Sequence, residues 1–260
     1  MYKLSEKGIV LLARNVESSK ILYNSLKGEF IFKKVILEKH IPMGRYFKRR
    51  IKTLGLIEVI GQILFLMLLV PILKRIKKKR IAEIKNKYHF NGDPIDKSKI
   101  ISLTSINTKK TIQTLKKLKP EIVIVNGTRI IQDPILKCST AIFINIHAGI
   151  TPLYRGVHGG YWALINSDRD NCGVTIHLVD SGIDTGKIIE QCRIYPSNKD
   201  NFVTYPLLQY GEGIPLIKKT IKNILKGNLE FKPYPEGISK FWSHPTVWLY
   251  LLNLILYKVK

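Results

Sequence analysis

Ala141-Ile142-Phe143-Ile144-Asn145-Ile146-His147-Ala148-Gly149-Ile150-Thr151-Pro152-Leu153-Tyr154-Arg155-Gly156 is the stretch on which the reading of this chain turns. Its first half is an apolar strand. Side chains alternate faces along a strand, so Asn145 and His147 share one side while Ile144 and Ile146 share the other. The polar pair falls at the carboxyl end of the strand, where open parallel α/β sheets place their ligands, and the glycine and proline that follow force a loop. Either polar residue alone reads as an ordinary hydrogen-bonded strand end. The pair together reads as a site.

Working outward, a second strand, Val174 to Val179, runs into the loop Asp180-Ser181-Gly182-Ile183-Asp184-Thr185-Gly186. Two carboxylates beside two glycines suit a loop that closes over a ligand, although both are also common turn residues. Upstream, a strand at Ile9 to Ala13, a helix from about Ser18 to Leu26 and a strand at Phe32 to Leu37 form the start of a nucleotide-binding-type α/β unit. A short basic helix, Lys110 to Lys119, leads into a buried-type strand at Ile122. The expected fold class is α/β, a Rossmann-like, doubly wound, mostly parallel sheet, with a basic helical insertion at about 41–90 and a short C-terminal helical extension.

Taken in order, the Asn-x-His strand end, the Pro-x-x-Arg-Gly loop and the Gly-Val-Thr-x-His segment leading to Asp184-Thr185-Gly186 resemble the formyltransferases that use 10-formyltetrahydrofolate. The resemblance spans roughly Pro120 to Gln191. It implies a catalytic domain over 1–195 followed by an extension over 196–260, and catalytic roles for Asn145, His147 and Asp184, with Asp180 a second contender for the aspartate. It also implies that the formyl donor lies against Arg129, Ile130 and Ile131 of the turn after Asn126, and against Val179, Asp180 and Ile183 of the aspartate loop.

These residue types fit the chemistry. Formyl transfer to an amine makes the former carbonyl oxygen negative, and a fixed amide N–H such as that of Asn145 stabilises it. The amine must lose a proton and the folate nitrogen must gain one, which an imidazole such as His147 can manage near neutral pH. A carboxylate beside it, Asp184, favours the protonated ring and orders the incoming amine. His177 reads as structural, since one backbone hydrogen bond accounts for a lone strand histidine. Arg155 is a candidate for a phosphate or carboxylate of the acceptor, against a loop-bracing contact. His158 is a second acceptor-binding candidate, against a solvated loop histidine. No metal is expected, because the six histidines and three cysteines lack ligand spacing.

Composition bounds the rest. A chain of 260 residues with 45% hydrophobic content buries a core and excludes a disordered protein. Cys138, Cys172 and Cys192 read as reduced packing residues of a cytoplasmic protein, and Met1 to Lys7 is too polar for a signal peptide. Residues 41–90 hold 13 Lys or Arg against two Glu, so 13 minus 2 gives +11 of the net +24.

Between Lys48-Arg49-Arg50 and Lys74 to Arg80 lies the apolar run Ile63 to Leu73, 11 residues long. A membrane span needs about 20, so this run reads as too short, even extended back to Val59 past Gln62. Two readings stay open: an interfacial helix drawn to anionic lipid at the inner face of the membrane, or a helix packed on the core with a solvated basic tail. A second apolar stretch, Val247 to Tyr257, is expected to pack against the first. Nucleic-acid binding, which the positive charge permits, and a homodimer also stay open.

The glycine-rich phosphate turn that the resemblance associates with glycinamide ribonucleotide enzymes is replaced here by Arg14-Asn15-Val16-Glu17-Ser18-Ser19. The resemblance, with that turn missing, implies as the expected acceptor a small-molecule amine on a nucleotide-linked amino sugar. A tRNA or glycinamide ribonucleotide acceptor, hydrolysis of the formylfolate, and a membrane-peripheral binding protein with a degenerate site are the alternatives.

Overall fold

Near-continuous runs of valine, isoleucine and leucine form the middle of the molecule, as strands covered on both faces require. In the computed structural model, residues 8–39 and 43–260 are described, so Met1 to Lys7 lies outside it, as do the side chains of Lys48 and Arg49. The strands are β1 (Ile9–Arg14), β2 (Phe32–Glu38), β3 (Ile100–Leu103), β4 (Ile122–Asn126), β5 (Ile142–His147), β6 (Tyr154–Gly156), β7 (Gly173–Leu178), β8 (Ile188–Arg193) and β9 (Lys240–Trp242). Seven of them form one sheet in the order β3-β2-β1-β4-β5-β7-β8, and β6 pairs separately with β9. From β3 to β5 all pairings are parallel, and β7 and β8 are added antiparallel. The sheet is the mostly parallel α/β layer that the sequence predicts.

Alternation sorts each strand onto two faces. Ile9, Leu11, Ile124, Ile144 and Ile146 share one core cluster with Ile217 and Ile221, while Val10, Leu12, Val123, Val125 and Phe143 share another with Leu115 and Ile135. The helices are α1 (Glu17–Leu26), α2 (Met43–Leu54), α3 (Leu56–Leu64), α4 (Val70–Ile76), α5 (Lys78–Lys87), α6 (Lys109–Leu118), α7 (Asp133–Leu136), α8 (Gly159–Ile165), α9 (Tyr205–Leu225) and α10 (Val247–Tyr257). The first cluster lies beneath α1 and α9. The second lies beneath α6 and α7.

The insertion departs from expectation. A π-helical turn, Phe65–Leu69, joins α3 to α4, so that Leu56–Ile76 is one continuous helix of 21 residues. The expectation of a run too short to cross a membrane is therefore corrected: by length and composition alone this helix suffices. Gly61 and Gln62, which interrupt the apolar run in the sequence, face the protein. A Cβ on Gly61 would stand 2.3 Å from the Trp248 ring, and buried Gln62 bonds Arg50 and the Ser243 hydroxyl. Pro71 supplies no N–H to the ladder. The π turn directly before it, with the Val70 N–H bonded to the Phe65 carbonyl, absorbs that break.

A third cluster fixes this helix to the domain. Phe65 meets Phe202 at 4.8 Å and Tyr250 of α10 at 5.2 Å, with Tyr161 and Ile84 around them. The expected packing of the two apolar stretches is present, but each also keeps an outward apolar face. Residues 196–260 are not set apart, since α9 covers the sheet and β9 pairs with β6.

Phe65→Ala should cost about 3–5 kcal/mol in denaturant unfolding, because a fully buried ring is removed. Met67→Gln, on the outward face, should stay within about 0.5 kcal/mol. Equal losses would show that both faces are packed.

Candidate active site

Parallel strands that end together bring their last residues together. Arg14 ends β1, Asn126 ends β4, and Asn145 and His147 end β5; all four line one cavity of about 480 Å³. The antiparallel β7 places His177 directly opposite Asn145. Asp184 enters from the loop after β7. Its backbone is left-handed at φ +52°, which turns the carboxylate inward toward the strand ends.

Asp184 is the junction of the site. Its Oδ2 accepts the Gly156 N–H at 2.9 Å and stands 3.4 Å from His147 Nδ1, while Oδ1 is 3.6 Å from His177 Nε2 and accepts from the Asn145 amide at 3.4 Å. Burial alone would raise its pKa. The charge of His147, the hydrogen bond to His177 and the Gly156 N–H outweigh that and hold the carboxyl well below the usual carboxylate range. Two glycines make the approach geometrically available. A Cβ on Gly156, at φ +95°, would meet the Trp242 carbonyl at 2.2 Å, and one on Gly186 would meet the Leu178 carbonyl at 1.7 Å.

His147 is fixed at both nitrogens. Its Nε2 lies 2.8 Å from the Tyr154 carbonyl, which can only accept, so Nε2 carries a proton. Nδ1 is therefore the nitrogen free to gain and lose one, beside Asp184. Gly149 permits this: a Cβ there would stand 2.5 Å from the Tyr154 carbonyl and 2.7 Å from His147 Nε2. By the same logic His177 donates from Nδ1 to the Leu178 carbonyl at 2.7 Å, while its Nε2 faces both the Asn145 amide at 3.2 Å and Asp184 Oδ1 at 3.6 Å. The backbone bond expected of a structural histidine is present. His177 additionally touches Asn145, across the β5–β7 pairing, and Asp184 of the loop that follows.

The two loops assigned to the formyl donor line the same cavity: Thr128, Arg129, Ile130 and Ile131 on one side, Val179, Asp180, Ile183 and Asp184 on the other. Ile131 is buried while Ile130 is exposed, with its carbonyl held by Asn107 at 2.9 Å. The Arg129 guanidinium turns back to Glu38 at 2.7 Å. Asp180 closes its own loop, accepting from the Gly182 N–H and the Thr185 hydroxyl. That leaves Asp184, not Asp180, among the catalytic candidates.

Neither acceptor candidate is among the residues lining the cavity. Arg155 braces loops, bonding the Ser239 hydroxyl at 2.9 Å and the Ile183 carbonyl at 3.1 Å. His158 packs on Phe202 at 4.2 Å and bonds His244 at 2.9 Å, so it supports a lining residue instead of being one. Lining residues that the sequence reading did not select include Arg14, Asn126 and Arg50, and from the C-terminal extension Phe241, Trp242, Ser243 and His244. The strand-end rule would have found the first two. A larger groove, about 1410 Å³, lies at the opposite ends of β4 and β5 between Glu121, Ile142 and Lys226, and holds none of this chemistry. Among the described residues no group of three His, Cys, Asp or Glu is placed to hold a metal.

The sequence profile of the formyl transferase family matches residues 76–205, half of the chain. The chain belongs to the formyl transferase family. A methionyl-tRNA formyltransferase from Thermodesulfovibrio yellowstonii is 38% identical over 129 residues, which cover 49% of this chain and 42% of that relative. The chain thus spans less than half the length of the curated relative it matches. Among solved structures, a 4-N formyltransferase from Francisella tularensis superposes with a TM-score of 0.55 at 17% identity, over 90% of this chain and 75% of that one. WlaRD, a sugar 3N-formyl transferase determined in the presence of dTDP and 5-N-formyl-THF, gives 0.54 at 16% identity over 91% and 69%. These structural likenesses establish the fold.

The wall of this cavity that holds His244 is predicted to be acid-sensitive. Burial lowers the pKa of His244 to about 4 and that of His158 well below its ordinary value, so both rings are neutral when folded. Unfolded histidines protonate near pH 6.5, so the stability this neutrality confers is complete above about pH 6.5 and is lost as pH falls toward about 4. Unfolding free energy should drop through that window by roughly 2 kcal/mol more in the wild type than in His244→Asn. Parallel pH profiles for the two proteins would disprove the assignment.

Proposed function

We propose that this chain is an N-formyltransferase that moves the formyl group of 10-formyltetrahydrofolate to a primary amine carried by a nucleotide-linked amino sugar. The observation that carries the reading is the grouping of Asn145, His147 and Asp184 at the base of a cavity walled by the 128–131 turn and the 179–184 loop. A cavity of about 480 Å³ with the apolar groups of Val125, Ile131, Val179 and Ile183 beside backbone amides suits a flat heterocycle with a hydrogen-bonding edge. Formylfolate supplies an activated carbonyl there.

The chain's own groups do the rest. His147 Nδ1 takes a proton from the amine as its nitrogen bonds to the formyl carbon, and returns it to N10 as the carbon–N10 bond breaks. Asp184, ionised throughout, balances the imidazolium that forms in between. Asn145 supplies an amide N–H to the developing negative charge on the formyl oxygen. Its 3.4 Å contact to Asp184 is the weaker of its two bonds and the one exchanged for that oxygen. Arg14 and Arg50 line the cavity and bring positive charge suited to a diphosphate. The amino-sugar acceptor is supported by the named sugar N-formyltransferase WlaRD sharing the fold. The net charge of +24 and the methionyl-tRNA relative favour tRNA as the second reading.

His147→Ala, Asp184→Asn and Asn145→Ala should each lower kcat by about a hundredfold or more while folate affinity changes little. Near-wild-type turnover by any one of them at saturating folate rejects its role. Supplying nucleotide-linked amino sugars, glycinamide ribonucleotide, charged initiator tRNA or no acceptor, with mass spectrometry of the products, identifies the amine. Formate release without any acceptor would mark a hydrolase instead.

A further inference from the structure

The two apolar helices of the third core cluster are each apolar on two sides. Val59, Gly61, Gln62 and Phe65 of the Leu56–Ile76 helix and Tyr250 and Asn253 of α10 turn inward. Outward, Ile57, Ile60, Leu64, Met67, Leu68 and Ile72 follow one another at helical spacing, with Ile57 76% and Met67 63% exposed. On α10 the outward residues Trp248, Leu251, Leu252, Ile255 and Leu256 repeat the pattern, with Ile255 74% exposed. Trp248 lies against Gly61 and Tyr250 against Phe65, so the helices run side by side in the same sense. Their outward stripes therefore form one apolar face. Isolated exposed leucines are ordinary, but two adjacent stripes of this length mark an interaction surface.

Charge identifies what covers it. Between Leu56 and Ile76 the one acidic residue is half-buried Glu58, and α10 carries no charged residue at all. At the carboxyl ends of both helices stand exposed Lys74, Arg75, Lys78, Lys79, Lys258 and Lys260. A second copy of such a face offers no exposed acidic group to meet that basic end. An anionic lipid surface would meet both the apolar stripe and the basic end, and Trp248 and Tyr257 are the aromatic types that settle at the headgroup level. The helix does not leave the domain to span a bilayer without uncovering Phe65 and Tyr250, which are both buried. At its other end the face adjoins the cavity: Gln62 bonds both Arg50 and Ser243, which line it.

We propose that the outward faces of Leu56–Ile76 and α10 seat the protein on an anionic bilayer, lying in the headgroup region with the mouth of the candidate active site beside the membrane. Arg80, although part of the basic run, does not belong to this surface. Its Nε and Nη2 pair with the buried Asp200 carboxylate at 2.8 and 3.1 Å, which makes it structural. The surface is independent of the acceptor's identity, so a failure of the formyl-transfer reading leaves it standing.

Flotation of the purified full chain with vesicles of phosphatidylcholine alone, or with phosphatidylglycerol added, tests it. Partition should be strong onto the anionic vesicles and reduced by raised salt. Met67→Glu with Ile72→Glu should abolish it while circular dichroism and the thermal midpoint stay near wild type. Lys74→Gln with Arg75→Gln, Lys78→Gln and Lys79→Gln should weaken it by up to about fivefold per charge before screening. No partition onto either vesicle, equal partition onto both, or partition that survives the double glutamate variant would overturn the proposal. So would a lipid-free dimer that the glutamate variant converts to monomer, since a second copy would then be the occupant.

Discussion

A buried carboxylate that stays ionised dictates the arrangement around it. Asp184 sits where burial disfavours its charge, and an uncompensated charge there would cost several kcal/mol. The compensation comes from three separate pieces of chain: a strand-end histidine, a histidine on the antiparallel strand beside it, and the backbone N–H of Gly156. Each of those pieces is held in turn. The Tyr154 carbonyl fixes the ring of His147, the Leu178 carbonyl fixes that of His177, and Arg155 ties its loop to Ile183. Three separate segments of chain thus converge on one charge.

The second support is aromatic. Trp242 stacks on Trp162 at 4.6 Å and on Tyr154 at 6.1 Å, which pins β9 to β6 and so to the loop carrying Gly156. Through Tyr250, Phe65 and Phe202 the same cluster continues under the long helix. The packing that shapes one wall of the cavity is thus continuous with the packing that holds the apolar helices.

Local rules carried the sequence reading where local physics decides. Alternation placed Asn145 and His147 together, away from Ile144 and Ile146, and apolar runs bounded by turns marked β1, β2, β4, β5 and β7 to within a residue or so. What escaped depends on contacts distant in sequence. Gly61 and Gln62 look like interruptions of an apolar run until Trp248, Arg50 and Ser243 are seen against them; tertiary partners, not propensity, keep that helix continuous. His158 and Arg155 carry the right chemistry for an acceptor, yet His244 and Ser239, more than 80 residues away in sequence, engage them. The C-terminal wall gave no local signal, because a three-residue strand is recognisable only by its partner.

The cavity is bounded by residues from Arg14 to His244. During synthesis, a nascent chain that has emerged only as far as α9 holds Asn145, His147, Asp184 and the 128–131 and 179–184 segments but lacks the segment that closes their far side. Contacts of such separation form late and slowly. The wall of the cavity is therefore complete only when Lys240 to Trp242 pair with Tyr154 to Gly156, a contact that closes a loop of more than 80 residues.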